Sequence, residues 1–402
     1  MSALQFVPAL VNAHSHAFQR AMAGLTEALV NPEDSFWTWR ELMYQFAGKI
    51  GPDELEAIAT QLYIELLKAG YTSVCEFHYL HHQPDGTPYA DPAEMSRALI
   101  RAAARSGIRL VLLPTLYMTR GFDGGPLAPR QQRFGHSLDA YLRLVDSLRQ
   151  VPGLQVGMAL HSLRAVPADA MQTLLETDLA KTGPIHIHIA EQVAEVDECL
   201  ERRGARPVAW LLDHAPVDAR WTLVHATHLS AAEITRLAAT GANVAICPST
   251  EANLGDGLFP LAEFLGQGGA FSIGTDSHVS TSVVEELRWL EYGQRLQRRR
   301  RNVAADASNP QVGRNLFERA YRGGMQAAGL SSMNDTVTVD ANAVELVGAS
   351  AAEQLDAYVF AGNRNLIQNV TVDGRLVIEN GQHAEQEAVA AAYRDVIRRI
   401  RA

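Results

Sequence analysis

Short runs of apolar and β-branched residues alternate with stretches whose apolar positions recur every three or four residues, and the alternation fills most of the chain. The runs Phe6–His14, Tyr71–His78, Ile108–Leu116, Gln155–His161, Ile185–Ala190, Trp221–Thr227, Asn243–Cys247 and Ala270–Asp276 read as strands. Between them, Pro52–Ala69, Asp91–Ser106, Ser137–Gln150, Pro167–Thr182, Ser230–Thr240 and Thr281–Arg301 read as amphipathic helices. Asp91-Pro92 and Ser230 are good helix openings, while Gly70 and Gly107 close the helices before them. Eight strands, each followed by a helix or long loop, predict an α/β fold of the (β/α)8, TIM-like barrel type. An open doubly wound sheet is the alternative, but no glycine-rich phosphate turn follows the first strand.

After Ala327 the texture changes. Asp335–Leu346, Ala357–Ala361 and Asn369–Glu379 read as short strands, with turns at Gly362-Asn363 and Asp373-Gly374, and Glu385–Arg401 reads as a terminal helix. The expected division is a barrel over residues 1–334, a small β-sandwich segment over 335–380 and a C-terminal helix over 381–402.

A chain of 402 residues can bury a large core, and 47% hydrophobic with 20% charged residues is the balance of a globular protein. The net charge of −10 argues against nucleic acid or an acidic membrane as partner, yet leaves room for a small anion held by a local arginine cluster. Cys75, Cys199 and Cys247 are odd in number and show no C-x-x-C spacing, which fits a reducing compartment without disulfides or a cysteine zinc site. No apolar run reaches about 18 residues and no basic-then-apolar leader opens the chain, so a cytoplasmic protein is expected. Arg298–Arg301 reads as a solvated helix end that complements the dipole, not as an anion patch.

What the barrel explains best is where the polar residues fall. His14, His16, His78, His161, His188, His225 and Asp276 all sit at strand C-termini, the end of a barrel that carries its chemistry. His14-Ser15-His16 places two imidazoles two residues apart, on one face of an extended strand, converging as two ligands of one ion must. In Ile185–Glu191 the isoleucines take one face and His186 and His188 the other; His188-x-x-Glu191 then sets a carboxylate just past the strand end. His186 reads as a core histidine, and His228, three residues beyond His225, as a loop histidine. Asp276 closes a buried apolar run, which is costly unless the carboxylate is paired or binds a metal, although it could also cap the turn from Ser277.

His14, His16, His188 and Asp276, from strands one, five and eight, thus form a three-nitrogen, one-oxygen set suited to one divalent cation. Zn²⁺ fits best, and Fe²⁺ or Mn²⁺ could replace it. Such an ion makes water nucleophilic near neutral pH. His225 and Asp276 can take the proton that water gives up, and Glu191 can carry a proton to a leaving nitrogen. A serine nucleophile has no support, because no G-x-S-x-G elbow occurs.

The order H-x-H, H-x-x-E, His, Asp resembles the deaminase branch of the amidohydrolase superfamily. Three stretches, His14–Gly24, Phe36-Trp37-Thr38-Trp39-Arg40 and Cys247-Pro248-Ser249-Thr250-Glu251-Ala252-Asn253-Leu254-Gly255-Asp256-Gly257, are similar to the formimidoylglutamate deiminases within it. The resemblance spans nearly the whole chain from Pro8 onward. It implies zinc on His14, His16, His188 and Asp276, with Glu191 and His225 as acid–base and polarising groups. It also implies substrate contacts from Gln19, Arg40, Tyr79, His161 and Arg164, a small anionic substrate, N-formimidoyl-L-glutamate, and a homodimer. The residues agree in part: His161-Ser162-Leu163-Arg164 follows the fourth strand, and a glutamate derivative needs guanidinium partners for two carboxylates. An aminohydrolase of a purine, pterin or other heterocycle would want stacking aromatics where Arg40 and Arg164 stand. An inactive barrel used as a binding scaffold would have lost ligands that are intact here. Relatives carry a longer stretch ahead of H-x-H whose strands pair with the C-terminal β segment. With 13 residues before His14, that small domain is expected to be incomplete, with unpaired edges.

Overall fold

The structure is a computed structural model that describes residues 5–28 and 36–401, and the side chains of Phe36 and Trp37 lie outside that description. The first apolar run is not one strand. Pro8 has no N–H for a ladder, and the chain breaks there into β1 (Phe6–Val7) and β2 (Leu10–Ser15). β2 opens a parallel sheet that continues through β3 (Tyr71–His78), β4 (Arg109–Leu116), with the fragment β5 (Gln155–Val156) beside it, β6 (Met158–Ser162), β7 (Ile185–Ile189), β8 (Trp221–His225), β9 (Asn243–Ile246) and β10 (Ala270–Ile273). The sheet curls until its last strand meets its first: Ser15 bridges Asp276, His16 N donates to Asp276 O at 3.2 Å, and Asp276 N donates to His14 O at 3.0 Å. Gly274 makes that closure possible, since a Cβ there would lie 2.7 Å from His14 Cβ and 2.9 Å from its nitrogen. The result is the nearly closed eight-position barrel that the alternation predicts.

Local chemistry accounts for the surrounding helices. Ser230 accepts from Glu233 N at 3.3 Å while the Glu233 side chain accepts from Ser230 N at 2.8 Å, a reciprocal cap on helix Ala231–Thr240. Gly107 ends helix Glu94–Ser106 in the left-handed region with φ 81°. Helix Val312–Ala327, which the sequence pattern leaves unassigned, packs on β10; a Cβ on Gly323 would run into the Phe271 carbonyl. Among the described residues no helix is long and apolar enough to cross a membrane.

The C-terminal part differs from expectation in three places. The strand expected over Asp335–Leu346 ends at Val339, and Val344–Leu346 forms a 3-10 turn. Ala357–Ala361 is not a strand but the end of helix Gln354–Phe360, which buries Leu355, Tyr358 and Val359 at helical spacing. So short a run carries too few residues to distinguish the two periods. Nor is β11 (Thr336–Val339) an open edge: β1 pairs antiparallel with it, β12 (Ile367–Val372) and β13 (Arg375–Ile378) follow, and β1 and β13 are the edges of the described sheet. Phe6 and Val7 cover that strand, in one antiparallel sheet.

Arg109, at the start of β4, ties this sheet to the barrel. Its guanidinium donates to Asp335 at 2.6 and 2.9 Å and also reaches Asp373. The Asp335 side chain is 0% exposed, so removing the cation strands a buried carboxylate. Arg109→Met is expected to lower stability by about 3 kcal/mol, read as a fall in melting temperature; an unchanged melting curve would show that the small sheet docks without this pair.

Candidate active site

The barrel strands deliver their functional side chains through strained backbone. Ala190, His225, Ala226 and Asp276 all have positive φ, between 46° and 67°, at the C-terminal ends of β7, β8 and β10. A non-glycine residue pays roughly 1–3 kcal/mol for that conformation, and each turn here is held by named contacts. Ala226 N donates to Ile189 O at 3.0 Å, and His228 N to Ala190 O at 3.1 Å. The buried Glu195 carboxylate accepts from Ala190 N at 3.1 Å and Glu191 N at 3.0 Å, clamping the turn from which Glu191 projects.

Four predicted ligands come together. The Nε2 atoms of His14, His16 and His188 lie 3.0, 3.0 and 3.2 Å apart, and Asp276 Oδ1 lies 3.6 Å from His14 Nε2 and 3.4 Å from His16 Nε2. The tautomers follow from the partners. His16 Nδ1 lies 2.8 Å from Phe77 O, and His188 Nδ1 lies 3.0 Å from His161 O; a carbonyl only accepts, so each Nδ1 carries the proton. Both Nε2 lone pairs therefore face one point. Burial and neighbouring imidazoles hold His14 and His188 far below the usual histidine range, and burial takes His16 down to about 3, so all three rings are neutral as ligation requires. Burial pushes Asp276 up to about 7. Converging neutral nitrogens beside a desolvated carboxylate fit one divalent cation with mixed nitrogen and oxygen ligands.

Next to this set stands His225. Its Nε2 lies 3.8 Å from Glu191 Oε1 and 3.7 Å from Asp276 Oδ2, and its Nδ1 lies 3.2 Å from Glu251 Oε1. Burial opposes a charge on this ring, but Glu191, the hydrogen-bonded Glu251 and Asp276 outweigh it and raise the ring to about 10. Glu251 is itself held by Cys247 N at 2.9 Å. On the other side of the cluster, Glu76 accepts from Ser15 Oγ at 2.6 Å and Ala17 N at 2.7 Å, bracketing His16. His186 points to Ala327 O at 2.8 Å and is a satisfied core residue, as its place in the strand suggests; His228 lies in the turn after β8.

The proposed substrate residues share one cavity with these groups. Gln19, Arg40, Tyr79, His161 and Arg164 line it together with His16, His188, Glu191, His225 and Asp276. Gln19 Nε2 donates to Tyr79 Oη at 2.9 Å, whereas Gln19 Oε1 is buried with no donor among the described residues. A larger groove lies elsewhere, between helices Pro52–Lys68 and Val283–Arg298, but histidine and cysteine are absent from its described lining. Sequence reasoning missed Glu76, Glu195 and Glu251. Each had a signal: an acid on a strand buried throughout, an acid four residues after Glu191, and an acid inside the Cys247–Gly257 stretch.

Comparison with known proteins agrees with this geometry. A model of the amidohydrolase family matches residues 6–310. The formimidoylglutamate deiminase of Pseudomonas aeruginosa is 50% identical, over 97% of this chain and 88% of its own length. The 8-oxoguanine deaminase of the same organism is 28% identical over 72% of this chain and 64% of its own. Among solved structures, an amidohydrolase from Brucella melitensis superposes with a TM-score of 0.93 at 43% identity, covering 98% of this chain and 90% of that one. An adenosine deaminase from Xanthomonas campestris with bound zinc shares the fold, with a TM-score of 0.80 at 23% identity over 100% and 86% of the two chains.

Proposed function

The chain belongs to the amidohydrolase family, and on that footing we propose that it is a metal-dependent hydrolase of C–N bonds that converts N-formimidoyl-L-glutamate and water to N-formyl-L-glutamate and ammonia. One observation carries the reading: a single cavity is lined by His16, His188 and Asp276 of the cluster and by Arg40 and Arg164. The similarity to the Pseudomonas aeruginosa deiminase supports the choice of substrate.

His14, His16, His188 and Asp276 would hold the cation, zinc by the character of the donor set. When bound, it acts as a Lewis acid that makes water nucleophilic at neutral pH. The protein's own groups do the rest. Arg40 and Arg164 hold the two glutamate carboxylates and so fix the formimidoyl carbon over the cluster. Gln19 Oε1 offers an acceptor to the amidine N–H, and Tyr79 and His161 wall the reacting end. As water adds to the carbon, Glu191 takes one of its protons and delivers it to the imino nitrogen, and as that nitrogen departs Glu191 carries it the second proton of the same oxygen, while His225, held by Glu251, stabilises the charge that develops on oxygen. Breaking the C–N bond releases ammonia and leaves the formyl group. We also place the enzyme in the cytoplasm, where its buried free thiols stay reduced, and as a homodimer, which sedimentation equilibrium checks.

Ammonia release from N-formimidoyl-L-glutamate, measured beside guanine and cytosine on metal-analysed protein, tests the assignment; turnover of a heterocycle alone would replace it. Arg164→Met is expected to raise KM for the dicarboxylate about ten- to a hundredfold and to leave a neutral formamidine nearly unaffected. Equal losses on both substrates would remove Arg164 from the carboxylate clamp.

A further inference from the structure

Gln131, on the turn Pro129–Phe134, stands behind two tyrosines that line the cavity. Its Nε2 lies 2.8 Å from Tyr117 Oη and 3.3 Å from Tyr44 Oη. The orientation of the amide is settled by a third contact. Ala128 N lies 2.9 Å from the other amide atom, and a backbone N–H can only donate, so that atom is Oε1. The nitrogen therefore faces the phenols and donates to both. Each phenol oxygen accepts, and each phenol hydrogen must point elsewhere.

Neither hydrogen has an acceptor among the described residues, although Tyr44 and Tyr117 are both buried. The rings cannot swing away freely. Tyr117 packs 4.4 Å from His161, and Phe134 lies 5.9 Å from Tyr44 and 6.0 Å from Tyr117, centroid to centroid. Burial lifts the Tyr117 phenol to about 12, which keeps it a donor. Arg40 lies over the Tyr44 ring at 5.6 Å and lines the same cavity as Arg164. Two oriented O–H donors without internal acceptors, beside two guanidiniums, describe a receptor for an oxyanion.

We propose that Tyr44 and Tyr117, oriented by Gln131, form with Arg40 and Arg164 a carboxylate subsite that selects substrates with an acidic tail. The proposal rests on the functional reading above and assigns its specificity to residues outside the metal cluster. Tyr44 and Tyr117 touch the substrate, and Gln131 is a positioning residue.

The experiment uses the metal-loaded enzyme and three variants, Tyr117→Phe, Tyr44→Phe and Gln131→Met, each assayed with N-formimidoyl-L-glutamate and with the carboxylate-free N-propylformamidine. Binding of L-glutamate by calorimetry provides an arm that needs no turnover. Tyr117→Phe is expected to raise KM for the dicarboxylate about tenfold or more and to weaken L-glutamate binding by a similar factor. Its kcat should stay within about threefold, and kcat/KM for N-propylformamidine should hold. Tyr44→Phe repeats the test on the second donor should the first variant not fold, and Gln131→Met should give the same selective rise with both rings in place. An unchanged KM, or equal losses on both substrates, overturns the subsite. An enzyme that turns over no formimidoyl compound, yet binds L-glutamate and loses it in Tyr117→Phe, would sink the functional reading and leave the subsite standing.

Discussion

Glu191→Gln is expected to lower kcat about a thousandfold or more while the protein keeps its cation and its fold. Glutamine fills the same volume and can still hydrogen-bond, but it cannot take a proton from water and hand it on. Position makes the effect large. Glu191 projects from a turn with a left-handed Ala190, clamped by the Glu195 carboxylate, and its Oε1 lies 3.8 Å from His225 Nε2 at the edge of the cluster. It is not among the groups that could ligate the ion with the histidines, so its loss should separate chemistry from metal binding. Metal analysis and steady-state kinetics on the same sample decide the point. Activity within a few-fold of wild type would give the proton shuttle to another group, and loss of the ion together with activity would make Glu191 a ligand.

Much of this site was legible because its signals are local. Two histidines at i and i+2 share a strand face in any parallel barrel, and a carboxylate three residues beyond His188 can only lie past the strand end. The strand alternation was readable for the same reason, since each run is bounded by its own turn residues. What was not legible depends on partners far away in sequence. Asp276 itself was read as a fourth ligand from its place at a strand end, but the closure that delivers it to His14 and His16, made by Gly274 and by two backbone hydrogen bonds across 260 residues and more, was not. Glu76, Glu195 and Glu251 act mainly through backbone N–H groups and one imidazole, and a periodicity argument does not see such partners. The end of the short helix Gln354–Phe360 was misread as a strand over Ala357–Ala361, because the helix holds only about two turns of pattern. Phe6–Val7 was assigned to the barrel, because Pro8 interrupts a run whose hydrophobicity continues on both sides.

Removing the cation should be the most severe perturbation of all. Treatment with a strong chelator is expected to abolish ammonia release and to lower the melting temperature, and one equivalent of Zn²⁺ per chain should restore both. The activity loss follows from the chemistry the ion supplies; the stability loss follows from the site. Once the ion is gone, the Nε2 lone pairs of three neutral imidazoles are left crowded within 3.2 Å of one another, and the buried carboxylate beside them keeps His225 as its cationic neighbour. By mass action a ligand at a thousand times its dissociation constant stabilises the folded state by about 4 kcal/mol, which is a large part of a marginal total. The stoichiometry is the sharper measurement, because His225, Cys247 and Glu251 form a second grouping close enough to hold a metal. Burial keeps the Cys247 thiol far above its usual range, so it remains protonated and a poor ligand, and Glu251 is already occupied by Cys247 N and His225. One ion per chain is therefore expected. A requirement for two would transfer His225 from the acid–base machinery to a ligand shell, and full activity in the metal-free protein would remove the basis for assigning hydrolysis to this cluster.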